Sequence, residues 1–135
     1  MASISLTRNE LGSYTATNER GGTVPVGDGS GLDFSPVELL LVALAGCSAI
    51  DVDHLTSRRA EPEEFAATAS GTKVKDADGN HLTDVVVTFT LRFPDGPDGD
   101  RAREMLPKAV QMSHDRLCTV SRTVSLGTPV EMRLE

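Results

Sequence analysis

The stretch Ser35-Pro-Val-Glu-Leu-Leu-Leu-Val-Ala-Leu-Ala-Gly-Cys47 holds a helix start and the most apolar run of the chain. Ser35 can cap the first turn of a helix, and Pro36 suits its first position. Glu38 can return a hydrogen bond to the backbone of the capping residue, which completes a capping box. These signals predict a helix from Pro36 to about Arg59.

The first half of this predicted helix, Leu39–Ile50, is apolar on every face, and its second half turns polar at Asp51. A helix that is apolar all round is normally buried. The whole helix would be roughly 35 Å long, about the width of a small domain. A chain of 135 residues can hardly enclose such a helix alone. We therefore expect a partner subunit to help cover it.

Strands are predicted on both sides of this helix, where β-forming residues lie between turn signals. They cover Ile4–Leu6, Gly12–Thr17, Thr23–Val26, Phe65–Lys75 and Thr83–Phe93. In the last of them, alternate residues from Val85 to Phe93 are apolar and fall on one face.

The rest of the chain adds a helix at Asp100–Arg116, which Pro107 should kink or divide. A short segment follows at Cys118–Val124, and Val130–Leu134 is predicted to close the fold as a strand. Strands and helices do not alternate regularly, which favours the α+β class with antiparallel sheets. The length fits a single domain over residues 1–135.

The net charge of −7 argues against nucleic acid or an anionic membrane as a partner. The apolar run Leu39–Ile50 is shorter than the about 20 residues that a membrane span needs. Met1–Glu10 lacks the apolar core of a signal peptide, so we expect a cytoplasmic location. In that reducing compartment, two cysteines are either buried small hydrophobes or reactive thiols.

The two cysteines are predicted to lie in different structural environments. Cys47 lies within the apolar helix, where an isolated cysteine is usually structural. Cys118 would cap a helical turn that begins at Thr119, and a helix N-terminus stabilises a thiolate. His114 could form a dyad with Cys118 if the preceding helix continued, although an exposed surface histidine is the simpler interpretation.

A metal site is not expected from the polar end of the first helix. Asp51, Asp53 and His54 include two carboxylates, but residues two apart on a helix point in directions about 200° apart. We therefore predict no metal and no cofactor.

Two motifs resemble those of the OsmC/Ohr family. The stretch Phe34–Cys47 is similar to the family's helix signature, and Arg116-Leu-Cys-Thr-Val-Ser121 is similar to its second-cysteine motif. The likeness covers nearly the whole chain and favours the general OsmC-like branch. It implies an intertwined homodimer, with antiparallel sheets around long buried central helices.

The resemblance also implies a thiol peroxidase that reduces organic or hydrogen peroxides. Cys47 would be the peroxidatic nucleophile, and Cys118 would resolve its sulfenic acid by forming a disulfide. Arg20, in the turn after an early strand, is the best match for the arginine that activates the first thiol. A dithiol, lipoyl-type or other, would then reduce the enzyme.

The chain departs from the Ohr pattern in ways that favour an alternative. Val37 stands where Ohr-type members have a glutamate, and Glu38 fits the capping box better than a catalytic role. Asp51, one turn after Cys47, would raise the thiol pKa. Thr119 follows the second cysteine where proline is usual. The alternative is a non-catalytic dimer of the same fold, which binds a small apolar ligand or senses oxidants.

Overall fold

The computed structural model describes all 135 residues and is built from five strands and three α-helices. The strands are β1 Ile4–Glu10, β2 Ser13–Asn18, β3 Thr23–Gly27, β4 Glu64–Asp76 and β5 Gly79–Arg92. The helices are α1 Pro36–Ser57, α2 Pro97–Met112 and α3 Thr119–Ser125, with a π-helical turn at Ser113–Leu117 between the last two. All strand pairs are antiparallel, so the predicted α+β class is confirmed.

The chain divides into two compact units, Met1–Leu41 and Val42–Glu135. The first unit contains a three-stranded sheet in the order β1-β2-β3. Asn18 ends β2 and shapes the turn into β3, because its side-chain oxygen accepts hydrogen bonds from the backbone N–H groups of Arg20 and Gly22. The single domain over residues 1–135 stays a prediction.

The start of α1 follows the predicted capping box. The backbone N–H of Ser35 donates to Glu38 Oε1 at 3.0 Å, and the backbone N–H of Glu38 donates to Ser35 Oγ at 3.2 Å. Glu38 therefore has the capping role expected for it. The helix ends at Ser57, two residues before the predicted Arg59.

The expectation that the apolar half of α1 is buried on every face is wrong for the single chain. Leu44 is 5% exposed and Val52 is fully buried, but Val42 and Ile50 are 49% and 61% exposed. Apart from its chain neighbours and the nearby backbone of the helix itself, no atom lies within 4 Å of the point where a side chain on Gly46 would begin. Since the chain has too few elements to surround α1, one apolar face of the helix remains open.

By length and composition alone, α1 could also cross a membrane. This is weak evidence for a membrane protein, because the core helices of soluble proteins satisfy the same criteria.

In the second unit, β4 and β5 form a long antiparallel hairpin, which confirms the predicted strand pair. Phe65 on β4 packs edge-to-face against Phe89 on β5, with ring centroids 6.5 Å apart. Phe93, just beyond β5, is 4% exposed. The alternation read from the sequence thus directs the large apolar side chains of β5 to one face.

Two predicted elements after the hairpin differ in the structure. Helix α2 begins at Pro97 and continues through Pro107 without dividing, since Ala102 and Ala109 on either side are fully buried and hold it in place. The predicted strand Val130–Leu134 is absent, and its residues are exposed. A strand needs a neighbour for its backbone hydrogen bonds, and no strand of this chain pairs with that segment.

Candidate functional site

The two cysteines meet in the second unit, although 71 positions separate them in the sequence. Cys47 lies on α1, close enough to Cys118 for the Cys118 side chain to raise the pKa of the Cys47 thiol. The backbone N–H of Val120 is also near enough to the Cys47 sulfur to lower the pKa of its thiol. Both thiols are free. The arrangement brings two free thiols near each other at the start of α3.

Cys118 is positioned by the π-helical turn and by α3. Its backbone N–H donates to the carbonyl of Ser113 at 2.9 Å, which closes the π-helical turn. Its sulfur caps α3 by accepting a hydrogen bond from the backbone N–H of Ser121 at 3.3 Å. The predicted capping position is therefore confirmed. Cys118 is fully buried, whereas Cys47 is half-buried.

The surroundings of Cys47 raise the pKa of its thiol. Burial is the largest cause, and the N–H of Val120 opposes it by stabilising the thiolate. The side chain of Cys118 and the negative charge of Asp51 raise the pKa further. The effect predicted for Asp51 is thus confirmed in direction, and the thiol form of Cys47 predominates at neutral pH.

Asp51 has a second contact, which sequence reasoning missed. Its Oδ2 accepts a hydrogen bond from the hydroxyl of Ser113 at 2.9 Å, and Ser113 is only 1% exposed. The bond joins α1 to the start of the π-helical turn that leads to Cys118. The sequence signal was weak, because a regular helix gives no reason to associate a serine with a cysteine five residues later.

A cavity of about 230 Å³ lies among α1, β5, α2 and α3, and residues next to the cysteines in the sequence line it. It is bounded by Ser48, which follows Cys47 on α1, and by Ser121, which donates to the sulfur of Cys118. The remaining lining is mostly apolar and comprises Leu44, Val85, Val87, Phe89, Val110, His114, Val124 and Ser125. The cavity can therefore accept a small organic group close to the helix that carries Cys47.

The other two candidate residues, Arg20 and His114, are exposed. Arg20 is an exposed turn residue of the first unit, and its role as the activating arginine stays a prediction. The side chain of His114 is 71% exposed, and its Nδ1 lies 2.9 Å from Asp115 Oδ1. This exposure fits the interpretation of His114 as a surface histidine. No cluster of His, Cys, Asp or Glu side chains is arranged to hold a metal ion.

Comparisons with known proteins give a consistent family match. The profile of the family described as OsmC-like protein matches residues 27–133. An uncharacterized protein of Mycobacterium tuberculosis H37Rv is 30% identical over 124 residues, which cover 90% of this chain and 87% of that protein.

Solved structures share the fold at low sequence identity. A hypothetical protein from Aquifex aeolicus superposes with a TM-score of 0.74 at 19% identity, over 97% of this chain and 92% of the other. An organic hydroperoxide resistance protein OsmC from Legionella pneumophila gives a TM-score of 0.61 at 15% identity, over 92% and 88% of the two chains.

Proposed function

Because the chain belongs to the OsmC-like protein family, as its two motifs indicated, we propose that it is a cysteine-based thiol peroxidase. Its substrates would be organic or hydrogen peroxides, with Cys47 as the nucleophile and Cys118 as the resolving cysteine. The proximity of the two free thiols carries this proposal. The name of the Legionella pneumophila protein supports the choice of hydroperoxides as substrates.

The proposed reaction has three balanced steps. The thiolate of Cys47 attacks one peroxide oxygen, so that an S–O bond forms, the O–O bond breaks, and the leaving alkoxide takes a proton to become an alcohol. The thiol of Cys118 then displaces water from the sulfenic acid and forms the Cys47–Cys118 disulfide. An external dithiol, lipoyl-type or other, is oxidised in turn and restores both thiols.

The different burial of the two sulfurs supports this assignment of roles. Cys47 is half-buried and open to a small oxidant, whereas Cys118 is fully enclosed and capped by Ser121. A peroxide can therefore reach Cys47 first. The apolar cavity beside Ser48 offers space for the organic part of the substrate.

The raised pKa of Cys47 is the main feature that opposes fast turnover, because only the thiolate attacks peroxide. A cation near the sulfur would offset it, and we propose Arg20 for that role. The same feature favours a second candidate function, in which a slow thiol pair senses oxidants stoichiometrically or the cavity binds a small apolar ligand.

We further propose that the chain acts as one domain over residues 1–135, in the cytoplasm, and as an intertwined homodimer. The open apolar face of α1 supports the dimer, since Val42 and Ile50 are exposed on either side of Gly46 in the single chain. A second copy that buried this face would remove apolar surface from water. Neither a nucleic acid nor a membrane is proposed as a partner.

The decisive experiment is titration of the reduced protein with one equivalent of tert-butyl hydroperoxide. We expect loss of both free thiols and a Cys47–Cys118 disulfide in the mass spectrum. The Cys118→Ser variant should still react and then over-oxidise at Cys47, and the Cys47→Ser variant should not react. Two intact thiols in folded wild-type protein after excess hydroperoxide would contradict the enzymatic proposal.

A further inference from the structure

We propose that the hydrogen bond between Asp51 and Ser113 is a positioning device that holds Cys118 against Cys47 for disulfide formation. The two residues touch neither peroxide nor the leaving oxygen, so they are positioning residues rather than catalytic ones. The inference deepens the proposed function and rests on it, because it concerns the step in which the second thiol resolves the first.

The first part of the device lies on α1. Asp51 follows Cys47 by one helical turn, so both side chains project from the same face of a rigid helix. The carboxylate is close enough to the thiol to disfavour its ionisation. Any element that Asp51 holds is therefore held at a fixed offset from the Cys47 sulfur.

The second part is Ser113, which bonds in two directions. Its hydroxyl donates to Asp51 Oδ2 at 2.9 Å, and its carbonyl accepts the backbone N–H of Cys118 at 2.9 Å. One buried residue thus connects the helix that carries Cys47 to the backbone of Cys118. A buried hydroxyl without a partner is costly, so the bond to Asp51 favours one placement of the π-helical turn.

The geometry explains why an acidic residue lies beside a thiol whose pKa it raises. Its charge slows ionisation of Cys47, but a charged acceptor also makes a stronger hydrogen bond than a neutral one. Asp51 therefore makes Cys47 less acidic, but through Ser113 it also positions the resolving thiol of Cys118. In the resolving step the S–S bond forms, the S–O bond of the sulfenic acid breaks, and the hydroxyl leaves as water with the Cys118 proton.

The test measures the thiol–disulfide equilibrium of the pair in a redox buffer of oxidised and reduced dithiothreitol, which needs no hydroperoxide. In Ser113→Ala we expect the equilibrium constant for disulfide formation to fall about tenfold, equivalent to about 30 mV. Ser113→Thr keeps the hydroxyl and should restore most of the loss. Ser70→Ala, an exposed serine on β4, is the matched control and should leave the equilibrium unchanged.

Asp51→Asn separates the effect of the hydrogen bond from the effect of the charge. It also provides a second test if the Ser113→Ala protein does not fold. The amide oxygen can still accept the bond, but more weakly than a charged carboxylate, so the equilibrium constant should fall only about threefold, a change of about 15 mV. Alkylation of Cys47 should nevertheless move to lower pH. Asp53→Asn, at an exposed position of the same helix, should change neither.

Two results would overturn the inference. One is a folded Ser113→Ala protein with the wild-type equilibrium constant. The other is an Asp51→Asn protein whose equilibrium constant falls as far as that of Ser113→Ala, although its amide can still accept the bond. Failure of the proposed function would look different, because wild-type protein would then ignore hydroperoxide while its equilibrium in the dithiothreitol buffer still responded to these variants.

Discussion

The Cys47 thiol has neighbours that oppose its ionisation, and this has a measurable consequence. Burial, the Cys118 side chain and the charge of Asp51 all raise its pKa. Since the thiolate is the form that reacts, the alkylation rate of Cys47 should keep rising with pH beyond the ordinary cysteine value of about 8.5. Mass spectrometry of iodoacetamide-labelled protein locates the label on Cys47. The denatured protein is the control, and a folded midpoint at or below the denatured one would contradict the prediction.

A variant of Arg20 tests directly whether this residue lowers the pKa of the Cys47 thiol. If its guanidinium approaches the sulfur in the assembled protein, Arg20→Met should shift Cys47 alkylation to still higher pH, because a cation that stabilises the thiolate is lost. Arg8→Met removes a charge from an exposed position on β1 and is the matched control. The same alkylation profile in both variants would assign activation to another group.

At the scale of elements, the capping box of α1 is a stability determinant that can be tested separately from chemistry. Ser35→Ala removes the oxygen that accepts the Glu38 N–H, so the free energy of unfolding should fall by about 1 kcal/mol. Ser3→Ala, near the exposed N-terminus, should have no measurable effect. Urea denaturation followed by circular dichroism measures both, and equal midpoints would show that the cap contributes nothing.

The elements that the sequence predicted well are those with local signals. The capping box located the start of α1, alternation located β5, and Cys118 was recognised as a cap of the turn that follows it. The bond between Asp51 and Ser113 was not predictable, since it depends on a π-helical turn and on contact between distant segments. The prediction of a strand at Val130–Leu134 was wrong for a related reason. The apolar pattern of the segment is local, but a strand also needs a pairing partner, which the local sequence does not specify.

For the whole molecule, the predicted homodimer follows from surface that the single chain leaves open. Val42, Gly46 and Ile50 are spaced one turn apart along α1, and they form an apolar stripe on which Val42 and Ile50 are exposed in the single chain. The small residue at its centre would let a second helix approach closely. Analytical ultracentrifugation of wild-type protein at micromolar concentration should therefore show one species near twice 14.3 kDa.

The variant Ile50→Glu tests which surface makes this dimer. A charge on the stripe would lose its water of hydration when the stripe is buried, which is costly without a partner charge, so the variant should sediment as a monomer. His54→Glu adds a carboxylate one turn further along α1, at an exposed polar position, and should remain dimeric. If the stripe forms the interface, the rate at which the Ile50→Glu variant reacts with hydroperoxide should also differ from the wild-type rate, because Cys47 lies beside the stripe on the same helix. A wild-type monomer would refute the dimer, and an Ile50→Glu dimer would move the interface to another face of the chain.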